Sequence, residues 1–361
     1  MSTFRLSSLI GNQAMSSAVP PRIDRPEGAA TIVPGSGRSA PVQSNEPADR
    51  QGFTIPELVV SLLIIAVLLS ILLPVILRAH EAARRTQCQN NLKQINLAFA
   101  NYHDIYNTFP PGYVSRDVQP TDAADLETGS GYAWGCLLLD YLDQTTLLAG
   151  IDFNLEPTDP LHYGIASTVL PTWTCPTDEN RSAFDVDVAG QAVVLGSASY
   201  VGCYGYGSLT TQPGAPTGPG ILYRNSHVPI FSIKDGSSNT IIVGERASRT
   251  IISDDQLPID ANATWYAAIP GAFRPAGIPD HPDFWEGPAS LVLSTVGQDE
   301  PFPFDSLHNR TTHIGSFSSN HPDGFMAAFA DTSVRFLSDK LDPVVLRHLT
   351  QHSDGVPVGE F

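Results

Sequence analysis

LVVSLLIIAVLLSILLPVIL, residues 58–77, is a run of 20 uncharged residues in which Ser61, Ser70 and Pro74 alone interrupt 17 apolar ones. As a helix it would cover about 30 Å, the thickness of a bilayer's hydrocarbon core. The competing reading, a buried core helix, is disfavoured because such helices rarely run this far without a polar face. A cleaved secretory signal fits less well still, since its apolar region is about 7–15 residues long and a small-x-small cleavage site follows it. The run therefore predicts a membrane span.

Downstream, the helix has no reason to stop. Arg78 to Tyr106 contains neither Gly nor Pro, and Cys88, Leu92, Ile95, Phe99, Tyr102 and Tyr106 recur at steps of four and three. That spacing lays one apolar stripe along a helix, which predicts packing of residues 78–106 on a soluble body. Asn107-Thr108-Phe109-Pro110-Pro111-Gly112 ends it, because proline lacks the N–H and restricts its predecessor. Pro74 predicts a kink inside the span.

Upstream, the first 51 residues hold 8 Ser, 6 Pro and 4 Gly, with Phe4 as their one aromatic. Such a segment buries too little apolar surface to offset its chain entropy, which predicts a disordered leader over residues 1–52. The whole chain of 361 residues carries 37 acids against 20 bases, a net charge of -17, and the excess acid lies beyond the leader. A nucleic-acid binder would show a basic stripe instead. Charged residues at 16% and hydrophobic ones at 42% suit one sizeable core and exclude a multi-span transporter, a collagen and a coiled-coil rod.

Beyond Gly112 the pattern is α+β. A helix is expected over 133–148, with strands at 199–204, 220–223, 240–244, 325–329 and 333–337. The last two alternate apolar residues around Asp331-Thr332 and predict a hairpin. Asp342-Pro343 reads as an N-cap with proline at the first helical position, opening a final helix to about Thr350. Residues 250–320 are loop-rich and predict no defined elements.

Catalytic signatures are missing. There is no Gly-x-Ser-x-Gly elbow, no His-Glu-x-x-His and no phosphate-binding Gly-x-x-x-x-Gly-Lys-Ser/Thr, so no enzyme, cofactor or metal centre is expected. His321 with Asp331 could supply two-thirds of a triad, but with no partnered nucleophile a structural hydrogen bond across the hairpin is the stronger reading. Gly202, Gly205 and Gly207 read as a tight turn beside a strand. Asp280, His281, Asp283 and Glu286 could hold a hard cation, although a solvated acidic loop explains them as well. The cysteines, at 88, 136, 175 and 203, lack zinc-finger spacing, leaving either buried thiols or one of three disulfide pairings.

Gly52-Phe53-Thr54-Ile55-Pro56-Glu57, set directly before the span, is the most specific local motif. A lone carboxylate at the edge of an uncharged 20-mer is unfavourable without a partner; the simpler reading is that Glu57 marks the interface and caps the helix start. The motif resembles the processing site of type IV prepilins and type II secretion pseudopilins. With Phe53 as the first mature residue, Glu57 is fifth and Pro74 twenty-second, positions shared with those families. Further blocks resemble the prepilin-like family called domain of unknown function 1559. They are residues 78–95, Asn101-Tyr-His-Asp, Phe109-Pro-Pro-Gly112, Thr174-Cys175-Pro176, Tyr200-Val-Gly, Asp235 through Arg246, and Asn320-His321-Pro through Val334-Arg-Phe-Leu.

This resemblance implies cleavage after Gly52 by a prepilin peptidase, N-methylation of Phe53, and a pilin-like long helix on a mainly antiparallel sheet. The expected divisions are a removed leader (1–52), the transmembrane part of the helix (53–77), its soluble part (78–106) and an extracytoplasmic α+β head (107–361). Partners would be sister pilin-like subunits in the inner membrane, joined through Glu57 into a pilus or pseudopilus. Cys88 and Cys175 both sit in family-like blocks, one on the helix face that must pack and one on a short extended segment able to cross it, so their disulfide is expected. The family's closing signature, His then nine residues then Asp-Gly, is met by His321 and Asp331, with Thr332 in place of Gly; a left-handed turn there would strain a β-branched residue. Arg78, Arg84 and Arg85 after the span oppose the implied orientation by the positive-inside rule, yet prepilins carry the same basic flank. The rival reading is a membrane-tethered binding protein that never polymerises.

Overall fold

A computed structural model describes residues 54–116, 131–188, 190–207, 218–252, 258–272, 287–296 and 315–359. The chain divides into two units with the boundary at Leu62/Leu63. Helix α1 runs from Ile55 to Tyr106 with Pro74 inside it. In the first unit, the backbone N–H and the hydroxyl of Thr54 both donate to Glu57 Oε2, at 3.0 and 2.9 Å. Glu57 thus reaches back to the residue before the helix, as the acidic half of a capping box does.

The second unit is α+β. Its described helices after α1 are α2 (Trp134–Leu137), α3 (Thr145–Ala149), α4 (Tyr163–Ala166) and α5 (Pro343–Leu349). The described strands are β1 (Phe184–Val188), β2 (Gln191–Leu195), β3 (Ser197–Ala198), β4 (Tyr200–Gly205), β5 (Ile241–Glu245), β6 (Thr250–Ile252), β7 (Pro258–Asp260), β8 (Ala263–Thr264), β9 (Leu293–Thr295), β10 (Gly324–Phe329) and β11 (Val334–Ser338). Five of them form the central sheet, in the order β11-β10-β5-β4-β9. Its pairs are antiparallel except β4 with β9, which run parallel.

Strands β4, β5 and β10 are buried at every position because the sheet is covered on both faces. Successive side chains point to opposite faces. Tyr200, Tyr204, Ile242, Met326 and Ala328 join the larger core cluster with Cys88, Leu92, Ile95 and Phe99 of α1. Val201, Cys203, Ile241, Phe325, Ala327 and Phe329 join a second cluster with Leu346 and Leu349 of α5. Helix α5 starts as its sequence directs, with the Asp342 carboxylate accepting from Val344 N–H and proline in the first turn.

The stripe on α1 is buried from Cys88 through Phe99, and Tyr102 packs half-buried against the core. Tyr106 departs from it and is exposed, because Asn107 turns left-handed at φ 57° immediately afterwards. Phe99 stacks on Trp134 at a centroid distance of 5.2 Å. Two buried amides stitch the same face down. Asn91 donates to the carbonyl of Thr174 at 3.0 Å, and Asn96 to that of Phe329 at 2.9 Å.

Several expectations need correcting. The helix expected over 133–148 is broken into α2, a 3-10 turn at Leu139–Leu142 and α3, because Asp143 takes a left-handed conformation at φ 58°. Residues 220–223 form no strand; Gly220 and Leu222 hydrogen-bond to Tyr204 and Cys203 as a buried loop. The span 250–320, expected to lack elements, contributes β6 to β9, and β9 completes the central sheet. The β1–β2 hairpin was not expected at all. Asp280, His281, Asp283 and Glu286 lie outside the described residues.

Candidate functional site

Two regions bear on function. In the first, α1 carries an apolar stretch, none of it buried, that is long and apolar enough to cross a membrane. Gly52 and Phe53, the expected processing pair, lie outside the described residues, whereas Glu57 and Pro74 both fall within α1.

The second region is a buried cluster where α1 meets the sheet. Cys88, on the packed face of α1, is joined by a disulfide to Cys175, with 5.2 Å between their Cα atoms. His321, from the segment before β10, lies against this bond, with Nε2 3.4 Å from Cys175 Sγ. Its other ring nitrogen, Nδ1, is 2.7 Å from Glu81 Oε1, about two helical turns before Cys88 on α1. Glu245, at the end of β5, puts Oε1 3.6 Å from His321 Nε2, while its Oε2 accepts from Met326 N–H at 2.9 Å. His321 is 1% and Glu245 2% exposed, so this is an interior charge cluster.

The titration behaviour follows from that enclosure. Burial works against a charged His321, yet hydrogen bonds and charge from Glu245 and then Glu81 prevail and raise its pKa above the ordinary 6.5. Burial likewise works against a charged Glu81, but His321, Arg84 and Arg85 together hold its pKa below 4.5. Arg84 and Arg85 pair with Glu81 at 3.2 and 3.3 Å, and Arg85 also donates to the Pro322 carbonyl and lies over the Phe336 ring. Basic residues that follow the span are thereby tied into the head.

Beside the cluster, a small polar cavity is lined by Thr177, Asp178, Ser199, Glu245, Arg246 and Ser319, among others. Asp178 accepts from Ser199 Oγ and Ser248 N–H, and burial raises its pKa. Arg246 donates to the carbonyls of Leu293 and Ser290, fixing β5 to the segment that leads into β9. The remaining thiols are elsewhere in the core. Burial pushes Cys203 up to about 12 and Cys136 well above the ordinary thiol value, so both are unreactive.

His321 and Asp331 take separate partners, and the hydrogen bond expected between them is replaced. Asp331 accepts from Ser333 N–H and shapes its own turn, while His321 turns toward α1 and β5. Thr332 is left-handed at φ 71°. Glu81 and Glu245 were not singled out in the sequence. Their signal was present only as membership of the blocks 78–95 and 235–246; no spacing rule could bring those blocks together.

Comparison with known proteins agrees with this geometry. The prokaryotic N-terminal methylation motif matches residues 47–73, where a single long apolar helix begins, so this is a membrane-anchored protein of the type IV pilin kind. No curated protein and no solved structure matches the chain. A family described as a protein of unknown function (DUF1559) matches residues 78–344, which takes in Glu81, Cys88, Cys175, Glu245 and His321. The chain belongs to that family.

Proposed function

We propose that this protein is a non-catalytic, pilin-like structural subunit. Prepilin peptidase cuts it after Gly52, Phe53 becomes the N-methylated N-terminus, and the span packs with sister spans in a pilus or type II secretion-like pseudopilus. The head then lies outside the inner membrane. The observation that carries this reading is the methylation-motif match abutting a helix whose apolar residues 58–77 stay uncovered. A lone span satisfies its backbone internally, but its surface can gain packing from copies of itself.

The outward orientation draws support from Arg84 and Arg85. Their pairing with Glu81 commits two of the three basic residues after the span to the folded head, which weakens them as a cytoplasmic retention signal. The disulfide points the same way, since such bonds persist outside the reducing cytoplasm.

Single cysteines placed along residues 58–73 and oxidised in native membranes test assembly. Multimer ladders at positions on one helical face are the expected result. Monomers at every position would overturn polymerisation and leave a tethered binding protein in its place.

A further inference from the structure

We propose that the Cys88–Cys175 pair has two alternative states, a disulfide and half of a divalent zinc site completed by His321 Nε2 and Glu245 Oε1. One donor atom from each of the four residues lies within 4.8 Å of all the others. Zinc bonds of about 2.3 Å to sulfur and 2.0–2.2 Å to nitrogen or oxygen set tetrahedral edges of about 3.3–3.8 Å. The His321 Nε2 distances of 3.4 Å to Cys175 Sγ and 3.6 Å to Glu245 Oε1 already match such edges. The bonded sulfurs are too close for the site, and reduction releases them to contact distance.

The surroundings are those of a metal ligand set. A zinc-bound imidazole gives its other N–H to a carboxylate, and Glu81 receives His321 Nδ1 at 2.7 Å, itself steadied by Arg84 and Arg85. Glu245 is anchored through Oε2 by Met326 N–H, which leaves the buried Oε1 aimed into the cluster, 3.6 Å from His321 Nε2. Two thiolates, one imidazole and one carboxylate make a closed four-ligand structural site.

The chemistry balances with a dithiol reductant. It supplies two electrons, breaks the S–S bond, passes two protons to Cys88 and Cys175 and becomes its own disulfide. Zinc then displaces both thiol protons, and any proton on Nε2, into solvent. Both states pin α1 to the head, so the seam survives a change of redox environment. This inference does not depend on polymerisation.

Cobalt(II), which reports tetrahedral thiolate ligation by colour, tests it on the full-length chain in detergent. Reduced protein, freed of reductant, should take up one cobalt per chain with tetrahedral d–d and thiolate charge-transfer bands, and yield it to zinc; the oxidised protein should take up none. Uptake should persist in a Cys136→Ala/Cys203→Ala variant. His321→Gln and Glu245→Gln should each weaken binding more than about 10-fold, and Glu81→Gln by about 10- to 100-fold with the band pattern kept. Circular dichroism of the oxidised variants checks that they are folded. The proposal is overturned if reduced wild type binds no cobalt, if oxidised protein binds equally, if uptake is lost without Cys136 and Cys203, or if a folded His321→Gln or Glu245→Gln variant binds like wild type.

Discussion

Thr332 is held left-handed at φ 71° on an exposed turn, where its Cβ and branched side chain are unfavourable. The reason is the loop. Phe329 N–H donates to Ser333 O and Thr332 N–H to Phe329 O, so three residues, Ala330 to Thr332, separate the hydrogen-bonded Phe329 and Ser333, and the last of such a loop adopts αL. Thr332→Gly should therefore stabilise the head by about 1 kcal/mol, read from denaturant unfolding; an unchanged midpoint would contradict the strain. Asn96 presents the opposite case. Its amide serves the buried Phe329 carbonyl, so Asn96→Ala should cost about 1–3 kcal/mol, while Asn101→Ala on the exposed face of α1 should be close to neutral. The third consequence is a pH dependence. His321 has a raised pKa, so its contribution is complete below 6.5 and is lost as pH rises through the folded value. Glu81 has a lowered pKa, so its contribution is complete above 4.5 and is lost as pH falls through the folded value. Thermal stability of the oxidised protein should thus peak between these values, and His321→Gln should flatten the alkaline side. A wild-type melting temperature that climbs steadily from pH 6 to pH 9 would contradict the pairing. Thr332 was legible as an irregularity because the family pattern has Gly there. Glu81 and Glu245 were not, since a carboxylate's partner depends on which strand the fold brings beside it.

Helix α1 is the element on which both halves of the account rest. Its buried seam was legible because the four-and-three spacing of Cys88, Leu92, Ile95 and Phe99 is set by helix geometry alone. The break at Asp143 was not, since Leu148 resumes the helical spacing of Trp134, Leu138 and Tyr141 beyond it and only the left-handed backbone reveals the interruption. The disulfide fixes this seam covalently across a sequence separation of 87. In the chain-entropy view, removing so long a closure costs about 4 kcal/mol, which Cys88→Ser/Cys175→Ser should show in metal-free buffer. A loss under about 1 kcal/mol would mean that packing alone holds α1. At the other end, Glu57 accepts both hydrogen bonds of Thr54 within one chain. For assembly we expect it to exchange these for the ammonium of a neighbouring Phe53. Glu57→Gln should then leave insertion and cleavage unchanged while depleting multimers; undiminished multimers would show that the carboxylate only caps the helix.

At the level of the whole molecule, the fold class was readable and the topology was not. The strand candidates located β4, β5, β10 and β11 to within about a residue or two, the last two by the alternation that a strand's two faces imprint. The parallel pairing of β4 with β9 left none, because β9 is three residues long and follows an irregular stretch. The convergence of four distant blocks on one disulfide is likewise a property of the folded head. The net charge of -17 resides mainly in the head region, consistent with a surface that stays soluble when many copies are brought close. The account's central claim is that the methylation motif is used as such, with the leader removed and the apolar helix placed at the new terminus. Mass spectrometry of the N-terminal peptide from native membranes tests it most directly. The predicted result is a chain that begins at Phe53 with its amine methylated, and a Gly52→Val variant that stays uncut. A native chain still beginning in the leader, with Gly52 joined to Phe53, would contradict it.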